Sequence, residues 1–355
     1  MKVALLGLAQ SGKKTFFSLL TGCSESAKPG YVDKKLLHLK EGESIEGAAS
    51  VHDKRVDALA QIFKPEKIRY AENTIVLCPD VEQKTSKRQW LEQARRCDML
   101  CILLRAFTSS VVYHPAGSVD AERDHNTLEA ELILADLELI ETRLSRLVKE
   151  KRAGSEPMQI QEENTLLKIK KHLENEVSLV ALDLQPQELQ FLKGLSLLSL
   201  KPALWAYNVD EDKLGKDKES IPDMFKVSCK IEQEIMALTN PEERKDYLAD
   251  LGITGSGLDR LNQAAYDALG LMSFYTVRSN EVRAWTIRKG TKAPVAAGKV
   301  HSDMERGFIR VEVIKFDDLV GAGSEAAAKA QGKAQIKGKD YVIEDGDICT
   351  FRFNV

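Results

Sequence analysis

Short, nearly uninterrupted apolar runs recur through most of the chain. Lys2-Val-Ala-Leu-Leu6 ends at Gly7, and Thr74-Ile-Val-Leu-Cys78 and Leu100-Cys-Ile-Leu-Leu104 repeat the texture; Ala203-Leu-Trp-Ala-Tyr207 and Phe225-Lys-Val-Ser228 follow. Strands that are apolar on both faces belong to a parallel sheet covered by helices on each side, so these runs predict an α/β core. From Leu128 the period changes: apolar residues fall at 128, 132, 133, 137, 140, 144, 147 and 148 among charged ones. That spacing predicts an amphipathic helix, capped at Asn126 with Glu129 three residues on and stopped by Gly154 and Pro157. A second run, Leu166, Leu167, Ile169, Leu173 and Val177, predicts a partner helix, the two forming an antiparallel hairpin inserted into the α/β domain and packed along the shared stripe.

From Tyr275 the pattern shortens into alternating strands: Val282–Ile287, Gly307–Val313, Tyr341–Ile343 and Ile348–Phe353. A small mixed β domain is expected there, and the Ala-rich piece Gly321 to Lys333 predicts a short helix rather than a linker.

Length and composition narrow the picture further. At 355 residues, 43% hydrophobic and 30% charged, the chain can bury real cores and has room for roughly two to three domains. Its 51 basic and 54 acidic side chains leave a net charge of −3, which argues against a protein held on nucleic acid by bulk charge. Cysteines at 23, 78, 97, 101, 229 and 349 form no CxxC pair and sit mostly among apolar neighbours, as expected in a reducing cytoplasm. Lys13-Lys14 cuts the opening apolar run too short for a secretion signal, and no run reaches the ~18 apolar residues of a membrane span.

The chemistry is densest where the first run ends. Gly7-Leu-Ala-Gln10-Ser11-Gly12-Lys13-Lys14-Thr15 leads straight into the helical Phe16-Phe-Ser-Leu-Leu20. Two suitably spaced glycines let backbone N–H groups curl around phosphate, a lysine neutralises it, and a helix N-terminus stands behind. The position that should carry a Ser or Thr hydroxyl for Mg²⁺ holds Lys14 instead. A protonated lysine cannot ligate the metal, and two adjacent lysines could neutralise phosphate without one. Thr15 moving in to serve the metal is the alternative.

With that loop, the chain resembles the YchF (Obg-like ATPase) family of P-loop NTPases over nearly its whole length. The matching segments are Asn280–Ile287, Ala293-Pro294 with Ala296-Ala-Gly298, His301-Ser-Asp303, Glu305–Arg310, and Asp345-Gly-Asp347 through Phe351–Val355, together with Arg55–Ala60, Lys64-Pro-Glu-Lys67 and Glu131–Leu137. The resemblance implies a P-loop G domain (residues 1–117 and 196–274), a helical, coiled-coil-like insertion (118–195) and a C-terminal β-grasp TGS domain (275–355). It also implies a nucleotide, with ATP favoured over GTP. Guanine readers carry Asn-Lys-x-Asp, whereas this chain has Asn208-Val-Asp-Glu211, similar to the family's Asn-x-x-Glu; an Asn amide can pair with adenine through both donor and acceptor. Ser228-Cys229-Lys230 looks like the second base-contacting loop.

Departures gather in the switches. The family's Asp-x-x-Gly is replaced by Cys78-Pro-Asp80-Val-Glu-Gln83, the Gly-rich stretch after it by Lys84–Trp90, and Gly30–His38 has no recognisable counterpart. His114, in Val111-Val-Tyr-His114-Pro-Ala-Gly117, falls where the family has a mobile loop with a histidine implicated in hydrolysis, and is the one candidate catalytic group. The implied partner is the ribosome, or RNA, met through the helical insertion and the TGS domain, with no membrane and no sequence-specific DNA. Residues 275–355 carry 14 lysines and arginines against 11 acids, a net of +3 that leaves −6 elsewhere and allows RNA contact. Three readings stay open: a nucleotide-binding switch with slow or absent hydrolysis, a pseudo-NTPase adaptor acting through its TGS domain, and an active Mg²⁺-dependent ATPase with rearranged switches.

Overall fold

The computed structural model describes residues 1–22, 36, 39–40, 42–82, 88–151, 156–214, 224–238, 240–253, 256–278 and 280–354. Its strands are β1 (Lys2–Leu6), β2 (Ile45–Val51), β3 (Lys67–Arg69), β4 (Ala71–Leu77), β5 (Met99–Ala106), β6 (Ala203–Val209), β7 (Met224–Val227), β8 (Leu271–Arg278), β9 (Glu281–Arg288), β10 (Phe308–Lys315), β11 (Gln335–Lys337) and β12 (Asp347–Phe353). Its helices include α1 (Lys13–Thr21), α2 (Lys54–Phe63), α3 (Gln89–Arg96), α4 (Ala121–Lys151) and α5 (Pro157–Leu173). The described chain divides into two compact units, residues 1–48 with 74–258 and residues 49–73 with 259–355.

The first unit is built on a six-stranded sheet ordered β2-β4-β1-β5-β6-β7, in which β1 pairs in parallel with β4 and β5, β5 with β6, and β6 with β7. From β1 the chain moves to β2 and β4 on one side and returns to β5 on the other, so the strand order reverses beside β1. In such sheets the loops at the carboxyl ends of the strands on either side of the reversal part to form a crevice. The apolar runs of the sequence are these strands, and Leu6, Ile102 and Leu104 share one core with Trp90 of α3 and Leu128 and Leu132 of α4.

Helix α4 is longer at its start than the apolar spacing predicts. It begins at Ala121, with Asp120 Oδ1 accepting from the Arg123 N–H, so Asn126 lies inside the helix and is not its cap. Its stripe serves two cores: Leu128, Leu132 and Ala135 pack on the sheet, while Ile133, Ile140 and Leu147 pack with Leu166, Ile169 and Leu173 of α5. Val148, Leu167 and Val177, counted in the stripes, are exposed. Helix α5 runs back along α4, with Arg143 paired to Glu162 near the turn and Glu141 to Lys170 farther from it. Pro157 opens α5, since its missing N–H costs nothing in a first turn.

The second unit holds a sheet ordered β11-β10-β12-β8-β9-β3. β8 and β9 are antiparallel from Leu271↔Arg288 to Arg278↔Glu281, and β10 is antiparallel to β12 with a bulge near Phe308. Phe274, Ile287, Ala296 and Val311 fill its core. Residues 49–73 join this unit because β3 pairs with β9, Lys67 opposite Glu281, and because Arg55 of α2 holds Asp345. Contacts therefore part the units at 258/259, ahead of the change of texture at Tyr275. The run at 341–343 contributes one isolated bridge, Val342 to Lys292, rather than a strand, and the short helix within 321–333 spans Glu325–Ala330. Among the described residues no helix is long and apolar enough to cross a membrane.

Candidate nucleotide-binding site

Strand β1 delivers the loop from Gly7 to Gly12 to the point where the strand order reverses. Gly7 and Gly12 have φ of 150° and 96°; a Cβ on Gly7 would lie 2.4 Å from the Leu103 carbonyl oxygen and one on Gly12 2.5 Å from Asn208 Nδ2. Both glycines are thus dictated by backbone and by space. Gln10 is exposed at φ 61°. Gly12 caps α1 without a side-chain hydrogen bond, so the cap residue itself does not occupy the first-turn amides that an anion would meet.

Lys13 is buried and turned back onto the loop, donating to the Gly7 carbonyl at 2.7 Å and ion-paired with Asp80 at 2.6 Å. Burial pushes its pKa below the ordinary lysine value, and Asp80 works against that shift. Lys14 is exposed.

Beside the loop opens a cleft of about 600 Å³. Of the residues singled out in the sequence, Gly12, Thr15, Asn208, Glu211, Ser228, Cys229 and Lys230 line it. They arrive from the ends of β1, β6 and β7, of which β6 and β7 are neighbours and β1 lies one strand away across β5. Asn208 is engaged on both sides: its Nδ2 donates to the Ser11 carbonyl and its Oδ1 accepts from the Cys229 N–H, each at 3.1 Å. The amide therefore braces the phosphate loop against the loop after β7. The Cys229 thiol has its pKa raised by burial.

Sequence reasoning missed the fourth wall, Phe107, Thr108 and Ser109 at the end of β5. Thr108 donates its N–H and hydroxyl to Asp210, each at 3.0 Å, joining that wall to the Asn208–Glu211 loop. The available signal was the polar Thr-Ser-Ser directly after an apolar strand.

A sheet reversing at a phosphate loop, with a cleft at the strand ends, can be set beside known proteins. A family model named YchF-GTPase_C, described as a protein of unknown function (DUF933), matches residues 271–354. The chain is 35% identical over its whole length, and the whole of the relative's, to a protein from Bacillus subtilis named ribosome-binding ATPase YchF. It is 34% identical to Obg-like ATPase 1 of Gallus gallus, covering all of this chain and 92% of that one. The solved structure of the Schizosaccharomyces pombe YchF GTPase superposes with a TM-score of 0.82 at 28% identity, covering 99% of this chain and 97% of its own. The chain belongs to the YchF (Obg-like ATPase) family.

Within that family frame, His114 is placed away from the cleft. It is 4% exposed, and its Nδ1 accepts from the Ala116 N–H at 3.1 Å, so the ring proton sits on Nε2 and is donated to Asp124 Oδ2 at 2.8 Å. Arg105 holds the same loop through the carbonyls of Phe107, Val112 and Tyr113. His114 lines a small buried space with Ser11, whose hydroxyl oxygen has no hydrogen-bond partner among the described residues.

Magnesium fits these residues poorly. Lys14 offers no hydroxyl, Thr15 lines the cleft beside Asn208, and the Asp80 carboxylate is bound to Lys13. Of the two switch segments, 30–35, 37–38 and 83–87 lie outside the described residues, as do Cys23 and Gly154. Cys78, Cys97, Cys101, Cys229 and Cys349 are free and buried.

Proposed function

We propose that this chain is a nucleotide-binding, ribosome-associated protein of YchF type that favours an adenine nucleotide and hydrolyses it slowly or not at all. The observation that carries the reading is the convergence of Gly12 and Thr15, from the two ends of the phosphate loop's Gly-Lys-Lys-Thr, with Asn208–Glu211 and Ser228–Lys230 on one cleft at the strand ends. Full-length relatives named for ribosome binding and ATPase activity support the partner and the nucleotide.

The adenine preference rests on Val209, which stands where a guanine reader has its lysine and is buried. Slow hydrolysis rests on Lys14 at the metal position and on His114, both of whose ring nitrogens are already hydrogen-bonded. Nucleotide binding without Mg²⁺ follows from the same side chains. The helical pair α4–α5 and the second unit, with its mildly basic C-terminal residues, are the surfaces through which ribosome or RNA would be met.

Co-sedimentation of the full chain with ribosomal particles, with and without adenine nucleotide, tests the reading. Pelleting that changes with nucleotide supports a switch. Pelleting indifferent to nucleotide and to Lys13→Ala supports the pseudo-NTPase adaptor instead, and no pelleting in any state removes the ribosome from the account.

A further inference from the structure

An ammonium has three N–H donors, and three acceptors surround that of Lys13: the Gly7 carbonyl at 2.7 Å, the Pro79 carbonyl at 3.4 Å and Asp80 Oδ1 at 2.6 Å. In a phosphate loop this lysine reaches the β- and γ-phosphates of a bound nucleotide. The Asp80 carboxylate is therefore an anion already standing where a terminal phosphate would bring its charge. The neighbouring backbone donor is spent as well, because the Val81 N–H is given to the Gly7 carbonyl at 3.1 Å.

The geometry has a direction. Lys13 is buried while the Asp80 side chain is 43% exposed, so the carboxylate covers the ammonium from the solvent side. Gly12, the N-cap of α1, has no side chain with which to occupy the first-turn amides in this way. A diphosphate can take the backbone donors and forgo part of its contact with Lys13 while Asp80 stays in place, whereas a third phosphate brings a further charge to the same ammonium and must either evict the carboxylate or bear its like charge at contact distance.

We propose that Asp80 takes the place of the terminal phosphate, making this cleft a nucleoside-diphosphate site that admits a triphosphate only when the carboxylate leaves Lys13. The proposal rests on the nucleotide-binding reading above and adds to it the class of ligand and the residue that selects it.

Calorimetric titration of the full chain with ADP and with a non-hydrolysable ATP analogue, in wild type, Asp80→Asn and Glu82→Gln, tests it. Glu82 is an exposed carboxylate on the same segment and controls for general charge. The expected result is ADP bound about tenfold or more tighter than the triphosphate by wild type and by Glu82→Gln, with the gap closing to about threefold or less in Asp80→Asn through stronger triphosphate binding. A wild type that binds the triphosphate as tightly as ADP overturns the proposal, whether or not the variant folds. So does a gap that survives Asp80→Asn. Either of those results leaves the nucleotide-binding reading standing, whereas failure of every form to bind either nucleotide overturns that reading and the proposal with it.

Discussion

His114 and Asp124 are hydrogen-bonded at 2.8 Å with both side chains shut away from solvent. The histidine thereby fastens its own loop to the first turn of α4, the helix whose far half packs with α5. Arg123 also holds Asp124, at 2.8 Å, so the carboxylate stays paired when the imidazole is removed.

His114→Ala is expected to cost about 1–3 kcal/mol, the range for a buried group losing its hydrogen-bond partner. For a unit of this size that lowers the melting temperature by roughly 2–4 °C per kcal/mol. Thermal unfolding followed by circular dichroism checks this, and an unchanged melting temperature would mean that the contact holds nothing.

Asp53, in the second unit, accepts from Tyr275 at 2.5 Å and from Arg55. Burial works to raise its pKa, but the hydrogen bonds from Arg55 and Tyr275 outweigh burial and hold it below the ordinary 3.8. A carboxylate depressed in this way contributes stability in full above the unfolded value of 3.8 and loses it as pH falls through the lower folded value. Tyr275→Phe should destabilise by about 1–2 kcal/mol near neutral pH, a deficit that shrinks on acidification below about pH 4. Urea unfolding of both forms across that range measures it; a deficit constant with pH would assign the loss to packing alone.

Trp90 is 1% exposed in the core beneath the strand ends, yet its indole N–H has no hydrogen-bond partner among the described residues. Trp90→Ala should therefore cost about 3–5 kcal/mol through the cavity it leaves. Trp90→Phe should cost well under half of that, because no hydrogen bond is lost with the ring nitrogen. Equal losses in urea titrations of the two variants would show that the N–H is bonded after all.

The strands were legible because a doubly covered sheet writes itself as unbroken apolar runs. The phosphate loop was legible because glycines and lysine at fixed spacing are local. The first turns of α4 were not, since Ala121-Glu-Arg-Asp-His-Asn-Thr127 carries almost no apolar residue from which a period could be read. Long-range pairings were hidden for a different reason. Nothing local tells that Asn208 bonds Ser11 and Cys229, or that Asp80 rests on Lys13, because sheet order alone brings those loops together. The membership of residues 49–73 in the second unit depends in the same way on a three-residue strand, β3, too short and too exposed to announce itself.

The most direct test of the account is calorimetry of the wild-type chain with ADP and with GDP, each in Mg²⁺ and in EDTA, with Gly12→Val as the control that crowds Asn208. The account predicts binding to wild type that survives EDTA, is tighter for ADP than for GDP, and is lost in Gly12→Val. Absence of binding by wild type under every condition, or a preference for GDP, would contradict it.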